Sequence, residues 1–98
     1  MMTSEVVAVE GVEFRGIRIA TEHGAILLLQ GSRANLGCGY FSLAPAEKLG
    51  DRFAIVTGVK DFADMLDAAV VGASSAAASC GVVAGMSGRE ALLIMEQK

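Results

Sequence analysis

The sequence predicts an α+β fold: an N-terminal antiparallel β meander followed by a further strand and three to four short helices packed on the sheet. Three observations point there. Up to Phe41, apolar residues recur with the two-residue period of extended chain, and turn signals cut them into short runs. Beyond Phe41 the spacing becomes that of amphipathic helices with their own start and stop residues. In between, "AILLLQ" is apolar in both parities, so a strand there has both faces covered.

Strands are expected near residues 5–9, 12–20, 24–30 and 34–41, separated by "EG", "EHG" and "GSR". In the second, Glu13 and Arg15 share one parity and Arg18 falls in the other, a slip that a β-bulge near Gly16 would produce. Ser42 to Leu49, with Pro45 in the first turn and Gly50 after the end, reads as a short helix. "RFAIVTGV" is a brief, buried fifth strand. In "KDFADMLDA", Phe62, Met65, Leu66 and Ala69 fall at i, i+3, i+4 and i+7 and form an apolar stripe. Asp61, Asp64 and Asp67 lie off it, which makes them a solvated face rather than a metal site. "ASSAAASC" is a small-residue helix stopped by Gly81. The last helix starts at "SGRE", where Ser87 and Glu90 match a capping box, and runs through "ALLIMEQ". Without a repeat or a linker, residues 1–98 read as a single domain, β-rich over 1–41 and mainly helical over 42–98.

Composition narrows the function classes. The chain is 53% apolar and carries 12 Gly, in a size range where one subunit buries only about 60 to 65 per cent of its unfolded surface. Self-association is the natural cover for the excess. With a net charge of −3 and a pI near 5, no basic footprint exists for nucleic acid or anionic lipid. The start, "MMTSEVVAVE", has an early glutamate and no basic n-region, unlike a signal peptide. Residues 68–88 are uncharged, but four Ser and four Gly interrupt them too often for a membrane span. A cytoplasmic protein is expected, with neither a nucleic-acid nor a membrane partner. Cys38 and Cys80 show no CxxC or Cys/His spacing, so no metal and no cofactor is expected.

The blocks "CGYFSL", "AEKL", "DR", "VTGVKDFADMLDA" and "GMSGREALLIM" resemble successive blocks of the YunC-like family of small bacterial and archaeal proteins, a family of unknown function. The likeness spans nearly the whole chain and is most specific in its C-terminal half. It implies an N-terminal β region that mediates tetramerisation, and no established activity.

Candidate sites start from "NLGCGYF". In an extended strand Leu36, Cys38 and Tyr40 share one face, while Asn35, Gly37, Gly39 and Phe41 share the other. The first is the better core face, which makes Cys38 a small buried hydrophobe. The face of Gly37 and Gly39 then admits a neighbouring subunit or a ligand. The alternative makes Cys38 an activated nucleophile with Tyr40 or His23 as proton-transfer partner. His23, the one histidine, sits in a Glu-His-Gly turn with no carboxylate spaced to orient it. Two further stretches could cradle a ligand: Thr57, Gly58, Lys60 and Asp61, where a strand hands over to a helix, and Arg89 beside the glycines of "GMSGRE". Turn and cap duties account for the same residues. The candidates are therefore Cys38, Tyr40 and His23 for catalysis, and Gly37, Gly39, Gly58, Lys60 and Arg89 for ligand binding. The favoured reading is a non-enzymatic homo-oligomeric module that binds a small molecule or a protein at a subunit boundary; the alternative is a small cysteine-dependent enzyme.

Overall fold

In the computed structural model, which describes residues 1–97, the chain opens on a regular hairpin. Strands β1 (Met2–Val9) and β2 (Val12–Ala20) pair antiparallel from Val9↔Val12 out to Met2↔Ile19. The "EG" turn between them puts both Glu10 and Gly11 at positive φ, 50° and 84°. That is the two-residue turn whose twist matches the strands it joins. Next come β3 (Ala25–Gln30) and β4 (Asn35–Gly37), each antiparallel to its predecessor.

The remaining elements are α1 (Ala44–Leu49), β5 (Ala54–Ile55), α2 (Phe62–Asp67), β6 (Gly72–Ala73), α3 (Ser75–Cys80) and α4 (Gly88–Glu96). The six strands form one sheet in the order β1-β2-β3-β4-β5-β6. It is a mixed sheet, because β5 lies parallel to β4 and β6 antiparallel to β5. This α+β architecture is the predicted class. The sixth strand and the parallel pair were not foreseen. Two-residue strands carry no periodicity, and strand direction is set by the crossover through α1, not by local pattern.

One face of the sheet makes the core. Val9, Phe14, Leu27, Leu29, Leu36, Ala54 and Val56 pack with Met65 and Leu66 of α2 and with Ala91, Leu92 and Met95 of α4. The helices start and stop as their residues dictate. Gly50 and Gly81 take left-handed C-cap conformations, and the Ser87–Glu90 capping box is formed. Ser74, wholly buried, caps α3 by accepting from the Ala77 amide; it also accepts from Phe53 N and donates to Asp51 O.

Three expectations need correction. No bulge interrupts β2: Gly16 pairs with Glu5 on one side and Leu29 on the other, in unbroken register. Gly16 is buried with the Phe62 ring of α2 packed over it, so close that an added Cβ would lie 2.8 Å from the ring. Arg18, two residues on, is exposed although it shares the core-side parity and pairs with the buried Leu27. The fourth strand stops at Gly37, not Phe41, since the chain turns at once. The stripe of α2 ends before Ala69, which instead forms an isolated bridge with Ser87.

Candidate functional site

The turn that ends β4 assigns Cys38 its place. The Cys38 amide donates to Leu27 O at 3.1 Å, one last rung of the β3–β4 ladder. Its carbonyl leaves the ladder and accepts from Phe41 N at 3.1 Å, closing a four-residue turn. The Leu27 amide would then lack an acceptor, and Cys38 Sγ accepts it instead, at 3.3 Å. Cys38 is only 4% exposed, so this sulfur stands in for a backbone oxygen inside the protein.

The same turn decides what surrounds the glycines. Phe41 folds back over the outer side of Gly37 together with Phe53, their ring centroids 5.5 Å apart. A Cβ on Gly37 would come within 2.6 Å of one ring and 2.8 Å of the other. The close approach expected at Gly37 is thus made by the chain's own aromatics. Gly39 stays exposed, and a Cβ there would meet only Thr57 Cγ2, at 3.4 Å. Tyr40 does not join Leu36 and Cys38 in the core: it is 61% exposed, and its hydroxyl donates to Thr21 Oγ1 at 3.3 Å. The alternation failed there because the strand had already ended.

The parallel partner ends beside it. Val56 N donates to Gly37 O at 3.0 Å, and the chain then leaves β5 through Thr57, a left-handed Gly58 and Val59 toward α2. Asp61 caps that helix by accepting from Asp64 N at 2.8 Å, and Asp64 accepts from Lys60 N at 3.0 Å. Two of the three aspartates expected on a solvated face are therefore fixing the entry to α2.

Loops leaving the carboxyl ends of adjacent parallel strands leave a crevice between them, a common position for ligands. Here the crevice is a cavity of about 300 Å³ lined by Ala25, Cys38, Gly39, Tyr40, Gly58 and Val59. Four sequence candidates, Cys38, Gly39, Tyr40 and Gly58, thus converge. His23 and Lys60 line an adjoining hollow of about 570 Å³ across Val59 and Ala25. The His23 side chain is 89% exposed, with Nε2 3.7 Å from Glu22 Oε1, and does not line the Cys38 cavity. Arg89 stands apart, 3.5 Å from Asp67 Oδ1 beside the capping box of α4. Thr21, which steadies Tyr40, was missed by the sequence reading because no local pattern links a hairpin residue to a tyrosine nineteen positions on.

Chemically, the cavity offers a sulfur on its wall, backbone at two glycines, and a hydroxyl pair at its rim. Among the described residues no acid or base hydrogen-bonds to Cys38 Sγ; its partner is an amide. The lining is mainly apolar, and Cys38 Sγ is hydrogen-bonded to an amide rather than to a side-chain base.

Fold and cavity define a small α+β domain built on a mixed sheet, with its candidate site where two parallel strands end. The family model of a domain of unknown function (DUF1805) matches residues 37–95, more than half of the chain, and the chain belongs to that family. The matched span begins at Gly37 and so contains both loops that frame the cavity. The chain is also similar to a protein of unknown function from Thermoplasma acidophilum, known from its crystal structure. The two are 29% identical, the match covers 97% of this chain and 93% of that one, and the TM-score is 0.90. No curated protein matches. No helix among the described residues is long and apolar enough to cross a membrane.

Proposed function

We propose that this chain is a cytoplasmic, homo-oligomeric binding module of YunC-like type, which assembles through the β1–β3 face and holds a small apolar ligand in the Cys38–Gly58 cavity at a subunit boundary. The observation that carries the reading is the outer face of the sheet. Met2, Ile19 and Ile26 form one cross-strand row there, and Ile17 pairs with Leu28 in the next. Met2 and Val6 are each 66% exposed, and Ile17, Ile26 and Leu28 are only half-buried. An apolar face of this kind, spread over three strands, is a mark of a protein interaction site. A second copy of the same face is the simplest cover, since a twofold pairing uses one patch twice. Glu13 and Arg15 lie on the same face and give such a pairing opposite charges to match.

Native mass spectrometry of the purified protein tests both parts: it should show an oligomer, most simply a tetramer, carrying a small molecule. Gly39→Val, which adds bulk where only Thr57 is near, should empty the cavity and leave the assembly mass unchanged. An oligomer whose bound mass survives Gly39→Val would place the ligand elsewhere.

The alternative, a cysteine-dependent enzyme, is favoured by one observation: Cys38 lines the cavity. It predicts a thiol that reacts quickly in the native protein.

A further inference from the structure

The end of α4 carries a carboxylate where the helix dipole disfavours one, with no basic residue in the last turn. That local conflict is resolved by a remote segment. Glu96 Oε2 accepts from Ser32 N at 2.8 Å, and Glu96 Oε1 accepts from Arg33 N and Ala34 N, each at 3.0 Å. Three consecutive amides turned toward one point form an anion-binding concavity. The adjacent Gly31 is shaped to it, because a Cβ there would collide with the Glu96 carboxylate.

The concavity also has supports other than Glu96. It is the connection between β3 and β4, closed by Gly31 N donating to Ala34 O at 2.9 Å and flanked by the Gln30↔Asn35 pair. The Gln30 amide also donates to Asn35 Oδ1 at 3.1 Å, and Asn35 Nδ2 donates to Arg52 O at 3.0 Å. Alongside, Arg52 Nη1 donates to Met95 O at 2.7 Å and to Gln97 O at 3.2 Å, holding the last carbonyls of α4. The loop borders a polar hollow of about 450 Å³ whose charged residues are Arg33, Asp51 and Arg52.

We infer that the Ser32, Arg33 and Ala34 amides are a preformed carboxylate-binding site with Glu96 as its tethered occupant, so that the end of α4 is a latch whose place a free carboxylate can take. Neither the sequence pattern nor the cavity at Cys38 requires this site, and its ligand class follows from the occupant: a small monocarboxylate, planar and singly charged.

Chemical rescue tests it. Glu96→Ala should lower the melting temperature and speed exchange of the three amides by about tenfold or more. Sodium acetate should restore both, relative to sodium chloride at equal ionic strength and neutral pH. Acetate should do nothing for the wild type or for Ser87→Ala, a destabilised variant with the latch intact. If acetate raises all three equally, or if the amides stay protected in Glu96→Ala, the inference is wrong. Should Glu96→Ala fail to fold, Glu96→Gln keeps the size and removes the charge. Its melting-temperature deficit against wild type should be present at neutral pH and close in acid as the wild-type carboxylate is protonated. A deficit that does not change with pH overturns the inference equally.

Discussion

Replacing Cys38 by alanine does more than open a small void, because it strands the buried Leu27 amide that Cys38 Sγ accepts at 3.3 Å. An unsatisfied buried donor costs about 1 to 3 kcal/mol, so denaturant unfolding of Cys38→Ala should show a loss in that range. Cys38→Ser, which keeps an acceptor, should lose less. The native thiol should react slowly with an alkylating reagent until the protein unfolds. Rapid alkylation of the folded protein would reverse the assignment and make this turn an active site. Glu96 gives the second single-residue test. Burial raises its carboxyl, but the Arg33, Ser32 and Ala34 amides and the Ser32 side chain outweigh it, holding the group below the usual 4.5. A carboxyl depressed in the folded state stabilises fully above its unfolded value, and the contribution disappears as pH falls through the folded one. The Glu96 share of stability is therefore constant at neutral pH and lost below about 4.5, which acid titration of wild type against Glu96→Gln measures.

Helix packing here depends on two glycines that local pattern does not distinguish. Gly88, the first residue of α4, is buried against the backbone of α2: a Cβ would run into the Met65 carbonyl. Gly16 of β2 faces the Phe62 ring of the same helix, but there the obstacle is the end of a side chain. Gly88→Ala should accordingly be the costlier change, about 1 to 3 kcal/mol for displacing packed backbone, and Gly16→Ala the milder, a ranking that thermal unfolding of the two variants checks. Ser87→Ala removes the hydroxyl that accepts from Glu90 N at 3.1 Å and should cost about 1 kcal/mol. Ligand affinity should be unchanged, because the cap lies away from the cavity. A variant that kept its melting temperature and lost ligand would restore the anion-cradle reading of this helix start.

The assembly prediction belongs to the molecule as a whole. Light scattering at micromolar concentration should return a multiple of the 10.1 kDa chain. Ile19, already 39% exposed on the outer face, can carry a charge without burying it in the subunit. Ile19→Asp should therefore leave the circular dichroism spectrum intact and reduce the mass toward one chain, since an assembled interface would have to bury that carboxylate. A wild-type monomer, or an Ile19→Asp variant of undiminished mass, would refute the proposed interface. Leu28→Asp, placed beside Ile17 in the next row, should act on assembly in the same direction with a larger effect on the fold, because Leu28 is half-buried.

Much that depends on neighbours a few residues apart was readable in the residues alone. The Glu10-Gly11 turn, the left-handed stops at Gly50 and Gly81, the Ser87–Glu90 box and the α+β class all rest on local conformation or on short-period hydrophobic pattern. The convergence of residues 38–40 with 58–59 could not be read in that way. It requires β5 to lie parallel to β4, and the Gly37↔Ile55 pairing that does this joins residues eighteen apart through a crossover. Tyr40 was misplaced because alternation holds only while the strand lasts, and a single turn hydrogen bond, Phe41 N to Cys38 O, ends it. Glu96 marks the same boundary from the other side. A carboxylate at a helix C-terminus announces a conflict in the sequence, but the amides that resolve it lie more than sixty residues earlier, and only the packing of α4 beside the β3–β4 loop brings them within 3.0 Å.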